Sequence, residues 1–290
     1  MGEIVIGVDE SAGAATALRW GVAEADRHGW AVRALSAWGV VDHQHDLPDE
    51  WFDENDVEAD ARAALDAVVD RVLGPDAAAR VSRGLVRDRP ARALVEASEG
   101  AELLVVGARG GGGFRHLLLG SVSEHCLHHA RCPVAVIHAG ADAGPDEGPG
   151  RVVVGVDGSE DGRRALTWAL DEARARGAVL EVLHAWQPPL AAAYPVGPLL
   201  SSTVDPLDDA ARTTLDGELD DLDLGGLPAP VERTVVCEGA AGALIDASKA
   251  AGLVVVGARG VGGFRGLLLG SVGAQVAHHA ACPVVVVRRP

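Results

Sequence analysis

The chain contains two copies of one sequence unit, and this internal repeat constrains its fold more than any other feature. Two early matches lie 148 residues apart: IVIGVDES (4–11) with VVVGVDGS (152–159), and SAW (36–38) with HAW (184–186). Two later matches lie 150 residues apart: LLVVGARG (103–110) with LVVVGARG (253–260), and LLLGSV (117–122) with LLLGSV (267–272). Two similar halves are therefore expected to adopt the same fold.

The repeat also sets the domain boundaries. A chain of 290 residues is long enough for two domains that each bury a core. The segment between the copies, AGADAGPDEGPG at 139–150, is rich in Gly, Pro and Asp, which is typical of a linker. We therefore predict one domain at 1–140, a linker at 141–150 and a second domain at 151–290.

The amino-acid composition argues against nucleic acid and membranes as binding partners of this protein. With 48% hydrophobic and 23% charged residues the chain is globular, and its net charge of −17 provides no basic face for nucleic acid. No apolar run reaches membrane-spanning length and no basic leader opens the sequence, so we expect no membrane partner and a cytosolic location. The four cysteines form no CxxC pair and are expected to be reduced and mostly buried, with zinc ligation as the weaker alternative.

Strand-like and helix-like segments alternate within each copy. In the first copy the short β-branched runs IVIGV, AVRALSA, LLVVG and VAVIH are separated by Ala-rich segments at helical spacing. In the first copy these segments predict helices from Ala12 to His28, from roughly Val57 to Leu73, from Pro90, and from Ser121 to about Ala130. The alternation predicts an α/β fold, and the continuously apolar strands predict a parallel sheet covered on both faces.

A glycine-rich loop follows one of these strands in each copy. The strand at Leu103–Val106 leads into GARGGGGFRHLLLGS at 107–121, after which Ser121 is predicted to cap a helix and Glu124 to complete a capping box. Glycines permit positive φ or close approach to a ligand, Arg109 adds a charged donor, and a helix start attracts anions. A flexible surface loop is the alternative. The second copy keeps the same spacing, however, which favours a phosphorylated ligand.

An aspartate follows the first strand of each copy. Val8-Asp9-Glu10-Ser11 is repeated as Val156-Asp157-Gly158-Ser159. The aspartate could serve only as a turn or cap residue. In an open doubly wound sheet, however, ligands bind at the carboxyl ends of strands where the strand order reverses, so Asp9 and Gly107 are expected to face one crevice.

These motifs together resemble a known family. The spacing G-x2-G-x9-G-S at 107–121 and 257–271 resembles the ATP-binding signature of the universal stress protein family, as do GVDES and GVDGS after the first strands and CPVVVV at 282–287. The resemblance covers both halves. It implies two Rossmann-like (adenine nucleotide alpha hydrolase-like) domains, each with five parallel strands in order 3-2-1-4-5 and helices on both faces. It also implies ATP as the ligand, with accompanying Mg²⁺ left open.

The resemblance carries a set of candidate residues onto each half. Asp9 and Asp157 would lie at the adenine–ribose end, and Ala37 and Ala185 would offer backbone contacts to the base. The remaining candidates, around the ribose and phosphates, are Gly107, Arg109, Gly110, Gly120, Ser121, Val122 and Ser123 in the first half, and Gly257, Arg259, Gly260, Gly270, Ser271, Val272 and Gly273 in the second. Gly273 replaces Ser123 and Gly158 replaces Glu10, so the two sites are not identical. No catalytic or metal-ligating residue is assigned.

The leading functional hypothesis is an ATP-binding stress-response protein in a regulatory role without efficient catalysis. The sequence has a single lysine, Lys249, and offers neither a general base nor a cluster of Mg²⁺ ligands, which phosphoryl transfer usually requires. One alternative is a slow ATPase in which Asp9, Asp157 or Glu10 positions Mg²⁺ or water. Another is a scaffold whose sites no longer bind nucleotide.

The last strand of each half predicts association. PVAVIH at 133–138 and PVVVV at 283–287 are apolar and would form exposed sheet edges unless covered. The family resemblance implies pairing through this edge. We therefore expect the two halves to pair within one chain as a pseudo-two-fold dimer, with further assembly into a homodimer left open.

Separation of the halves tests this pairing. Expressed alone, residues 1–140 and residues 151–290 should each self-associate or aggregate, because each would expose an apolar edge strand. Sedimentation velocity on the two fragments and on the full chain would measure this. Two freely soluble, monomeric halves would contradict the predicted pairing.

Overall fold

The structure, a computed structural model, describes residues 2–39, 54–110, 119–138, 150–188, 201–262 and 268–289. The chain divides into two compact units, Met1–Asp142 and Ala143–Arg289. The boundary between these units lies within 139–149, outside the described residues.

The first unit alternates strands and helices from its start. Among its described residues the strands are β1 (Glu3–Gly7), β2 (Ala31–Trp38), β3 (Val81–Arg87), β4 (Leu103–Gly107) and β5 (Val134–Ile137). The helices in the same ranges are α1 (Ala12–His28), α2 (Glu54–Ala78), α3 (Pro90–Ala97) and α4 (Ser121–His129). The strands are parallel and follow the order β3-β2-β1-β4-β5.

The second unit repeats this arrangement. Its strands are β6 (Arg151–Gly155), β7 (Val179–Ala185), β8 (Glu232–Val236), β9 (Leu253–Gly257) and β10 (Val284–Val287). Its helices are α5 (Glu160–Arg176), α6 (Ser201–Leu219), α7 (Ala240–Ala247) and α8 (Ser271–His279). The order β8-β7-β6-β9-β10 is again 3-2-1-4-5, and every pair is parallel. The predicted fold class is therefore confirmed for both halves.

Helices cover the sheet and explain its continuously apolar strands. In the first unit α1 contacts α2, α3 contacts α4, and both pairs pack against strands. The side chains of β4 at Leu103–Val106 and of β5 at Val134–Ile137 are all buried, since both faces of these strands are covered. A sheet of this kind is stabilised chiefly by removal of Val, Leu and Ala side chains from water.

Two elements differ from the sequence prediction. The strand β3 (VSRGLVR) was absent from the predicted runs, because it lies at the end of its strand order, is only partly buried and contains two arginines. The second helix is longer than the predicted Val57–Leu73 and is kinked at Gly74, which has a φ of 74° directly before Pro75. Glycine tolerates this left-handed backbone, and proline restarts a helix because its φ is already helical.

None of the helices in the described ranges combines the length and the apolar character needed to cross a bilayer.

Most of the cysteines are buried, as predicted. Cys126, Cys132 and Cys282 are buried and Cys237 is exposed. Burial raises the pKa of the Cys282 thiol to about 12, because a thiolate would lose its hydration in the apolar interior.

Thiol labelling should reproduce this difference. A thiolate-specific reagent at about pH 8 should modify Cys237 in the native protein, whereas Cys126, Cys132 and Cys282 should react only after denaturation. Mass spectrometry of labelled peptides would identify the sites, and Cys237→Ser serves as the control that abolishes native labelling. Rapid native labelling of Cys282 would contradict its burial.

Candidate functional site

The strand order brings two distant segments of the first unit to one edge of the sheet. The parallel strands β1 and β4 are neighbours, with Ile4 opposite Leu103 and Ile6 opposite Val105. The segment after β1, which contains Asp9, and the loop after β4 therefore leave the sheet side by side. This is the switch point at which open α/β sheets bind ligands.

Hydrogen bonds brace these two segments against each other. Asp9 Oδ1 accepts a hydrogen bond from the Ser11 amide at 2.9 Å, which fixes the turn after β1. Ser11 Oγ caps α1 by accepting from the Ala14 amide at 3.1 Å, and it lies 3.5 Å from the carbonyl oxygen of Arg109 in the glycine loop. Asp9 thus has the turn role that the sequence suggested, and it also lies at the crevice.

The loop glycines are needed for close approach. A Cβ on Gly107 would lie 2.7 Å from the carbonyl carbon of Gly13, and one on Gly110 would lie 2.7 Å from Asp9 Oδ2. Neither glycine has a positive φ, so the predicted use of left-handed backbone is not seen at these two positions. Gly111, Gly112 and Gly113 lie outside the described residues.

The start of α4 corrects the predicted cap. The N-cap is Gly120, with φ −82° and ψ 156°, no side chain caps the helix, and Ser121 is already the first helical residue. The predicted capping box is therefore wrong. The cause is a bond to a residue distant in the sequence: the Gly120 amide donates to the Ala108 carbonyl at 2.7 Å, which turns the chain into the helix one residue earlier. An uncapped helix start presents backbone N–H groups that can bind an anion.

A cavity of about 900 Å³ lies between these segments. All nine candidate residues of the first half line it: Asp9, Ala37, Gly107, Arg109, Gly110, Gly120, Ser121, Val122 and Ser123. Its size falls in the range of roughly 300–1,000 Å³ common for small-molecule sites. That these residues bind a nucleotide stays a prediction.

Helix α3 supplies a wall that the sequence reasoning missed. Pro90, Ala93 and Leu94 also line the cavity, and Leu94 packs so closely on Gly7 that a Cβ there would lie 2.9 Å from it. The sequence did contain a signal for this wall. A helix that begins directly after a parallel strand begins at the ligand-binding edge of the sheet, and α3 is such a helix.

Ser123 differs from the other candidates. It is 2% exposed, and its hydroxyl lies 2.8 Å from the Gly120 carbonyl oxygen and 3.1 Å from that of Ala108. The hydroxyl therefore stabilises the turn before α4. Its replacement by Gly273 removes an internal hydrogen bond from the second half.

The second unit repeats the brace with similar distances. Asp157 Oδ1 accepts from the Ser159 amide at 3.1 Å, and Ser159 Oγ accepts from the Gly162 amide at 3.0 Å and donates to the Arg259 carbonyl at 3.2 Å. Asp157 Oδ2 also accepts from the Val261 amide at 2.8 Å. A Cβ on Gly257 would lie 2.7 Å from the carbonyl carbon of Asp161, and one on Gly260 would collide with Asp157.

The other candidates of the second half occupy equivalent positions. Helix α8 starts at Ser271 behind the N-cap Gly270, again without a side-chain cap, and Val272 and Gly273 follow in its first turn. Ala185 ends β7, next to His184, whose Nδ1 lies 2.8 Å from the Val156 carbonyl oxygen. The side chain of Arg259 is held by Asp161, with 3.1 Å between Nε and Oδ2.

The fold and the crevice place both units among open, doubly wound α/β domains whose candidate sites lie at the carboxyl ends of the strands. Comparison with known protein families identifies one family: the universal stress protein family matches residues 1–138 and again residues 149–288. The chain therefore belongs to the universal stress protein family, in its tandem form with two such domains.

Known proteins agree with this assignment. A universal stress protein of Mycolicibacterium smegmatis is 35% identical over 295 residues, covering 98% of this chain and 96% of that protein. One of Mycobacterium tuberculosis is 34% identical over 291 residues, covering 99% and 97%. The crystal structure of a universal stress protein from Archaeoglobus fulgidus shares the fold, with a TM-score of 0.66 at 21% identity, covering 99% of this chain and 96% of that one.

Substitution of the capping serines and of Ser121 should change the stability of the protein by different amounts. Ser11→Ala and Ser159→Ala should each lower the free energy of unfolding by about 1 kcal/mol, because each removes a helix cap. Ser121→Ala is the matched control and should change it by less than about 0.5 kcal/mol, because Ser121 caps nothing. Urea denaturation of the full chain would measure these values. An equal loss in Ser121→Ala would restore the original capping-box prediction.

Proposed function

We propose that the protein binds ATP at the crevice of each unit and acts through nucleotide occupancy, without efficient catalysis. The observation that carries this proposal is the uncapped start of α4, which opens into a cavity of about 900 Å³ beside the Asp9 turn. The regulatory role in the stress response is inferred from family membership.

The helix starts support an anionic ligand. Helices α1 and α5 are capped by Ser11 and Ser159, whereas α3, α4, α7 and α8 have no side-chain cap. Of these four, α4 and α8 are the two whose starts follow the glycine loops. A free helix N-terminus carries a partial positive charge and directed N–H groups, both suited to phosphate. Arg109, exposed at the edge of the cavity, adds a guanidinium that can bind phosphate through two hydrogen bonds.

The glycine before each helix supports close approach by a ligand. A Cβ on Gly120 would meet its nearest protein atoms at 3.5 Å, and one on Gly270 at 3.4 Å, which are ordinary contact distances. The protein interior therefore has room for a side chain at both positions. A glycine that the interior does not require fits a position where a phosphate contacts the backbone.

The opposite part of the cavity suits a flat apolar group. Leu35, Ala93 and Leu94 line it together with Ala37 at the end of β2. Small-molecule sites typically combine such apolar walls with a few polar groups that fix orientation. An adenine base near β2 and phosphates at α4 would match this division.

We propose that catalysis is inefficient because, among the described residues, the crevices lack the lysine and the metal-ligating cluster that phosphoryl transfer usually needs. Lys249, the one lysine in the sequence, pairs with Asp246 at 2.5 Å and is not part of the cavity lining. Within the described ranges, no cluster of three metal-ligating side chains lies at either crevice. Efficient phosphoryl transfer generally depends on such groups. The slow ATPase remains the alternative to be tested.

Calorimetric titration with ATP tests the binding proposal. The wild-type chain should bind ATP at both crevices. Ser121→Glu and Ser271→Glu should each weaken one site by about tenfold or more, because a carboxylate at the helix start repels phosphate. Glutamate is favourable in a first helical turn, so both variants should remain folded.

Thr213→Glu is the control for added charge, since this exposed residue of α6 is not part of the cavity lining. It should leave ATP binding unchanged. No ATP binding by the wild type at millimolar nucleotide, or unchanged binding in both serine variants, would overturn the proposal. Steady ATP turnover that is lost in Asp157→Ala would favour the slow ATPase instead.

A further inference from the structure

The second unit contains a buried carboxylate that the first unit lacks. Asp161 lies in the first turn of α5 and is 4% exposed. At the repeat offset of 148 residues, Gly13 occupies the same position in α1. The two crevices therefore differ at a residue directly behind their glycine loops.

Three arginines surround this carboxylate. Arg164 Nη1 lies 2.9 Å from Asp161 Oδ1, Arg259 Nε lies 3.1 Å from Oδ2, and Arg289 Nε lies 3.5 Å from Oδ1. The neighbouring Glu160 also pairs with Arg164 and Arg289. A carboxylate buried to this degree is stable only when charged donors compensate for its lost hydration, so Arg259 is one of its necessary partners.

The equivalent arginine of the first unit has no such partner. No hydrogen bond or ion pair joins the Arg109 side chain to any of the residues that the structure describes. A Cβ on Gly13 would also collide with the Arg109 carbonyl oxygen. The first crevice therefore has neither the acid nor the space for it.

We propose that Asp161 acts as an internal counter-anion for Arg259, so that the second site favours adenine ligands of low charge, whereas the first favours the triphosphate. This inference rests on the proposed function and concerns the selectivity of the same two sites. Asp161 is a positioning residue that acts through Arg259.

The selectivity follows from the exchange of one anion for another. A phosphate that binds Arg259 in the second site either displaces the Asp161 carboxylate or shares the guanidinium with it. The charge of Arg259 is already compensated by a buried anion, so the net gain is small. A phosphate that pairs with Arg109 displaces only water and gains a charge-assisted hydrogen bond. Binding of an uncharged adenosine depends little on either arginine.

The experiment compares ATP with adenosine in the full chain by calorimetry. In a Ser121→Glu background, in which ATP binding at the first site is weakened, Asp161→Asn should tighten ATP binding at the second site about tenfold. It should change adenosine binding, to which both sites contribute, by less than about twofold. The combined variant Asp161→Asn/Arg259→Ala should lose this gain. Asp171→Asn removes the same charge from an exposed position on α5, where Asp171 pairs with Arg174, and should change neither ligand.

A second comparison does not depend on the fold of an Asp161 variant. Arg109→Ala in a Ser271→Glu background should weaken ATP about tenfold relative to adenosine, whereas Arg259→Ala in the Ser121→Glu background should change this ratio by less than about threefold. Equal losses for the two arginines, or an Asp161→Asn variant with an unchanged or weakened ATP preference, would overturn the inference while leaving ATP binding intact. If neither site binds ATP or adenosine, the proposed function falls and the inference falls with it.

Discussion

In each unit the loop after the fourth strand packs closely against the helix after the first. In the first unit Gly107 lies against the backbone of Gly13, and Ser11 links the start of α1 to the Arg109 carbonyl. In the second, Gly257 lies against Asp161 and Ser159 makes the same link. A side chain at either glycine would push the two segments apart. The shape of the crevice therefore depends on the absence of a Cβ at these positions.

This constraint divides the signature glycines into two groups. Gly107 and Gly110, with Gly257 and Gly260, are required by the protein itself, since a Cβ at any of them would meet neighbouring atoms at impossible distances. Gly120 and Gly270 face ordinary contact distances, so the protein does not require them. A glycine motif alone is therefore weaker support for a ligand than its length suggests. The glycine at each helix start carries most of that support.

Much of the fold could be predicted because the strongest signals are local and repeated. Buried parallel strands such as LLVVG and amphipathic helices such as Ala12–His28 can be recognised from the hydrophobic pattern of consecutive residues. The strand β3 was missed because a partly exposed strand at the end of its order carries polar residues. The cap at Ser121 was predicted wrongly, because a bond from the Gly120 amide to Ala108, twelve residues earlier, decides where the helix starts. Pairings of this kind leave no pattern in a short window.

The two copies show which properties of a site can diverge independently. The Asp turn, the Ser brace and the glycine contacts keep their geometry in both units. The charge around them differs, because Asp161, which pairs with Arg259, stands where the first unit has Gly13. Geometry is fixed by backbone packing, in which a small change is costly. Charge is set by side chains around that backbone, so one copy can change its ligand preference while the scaffold stays the same.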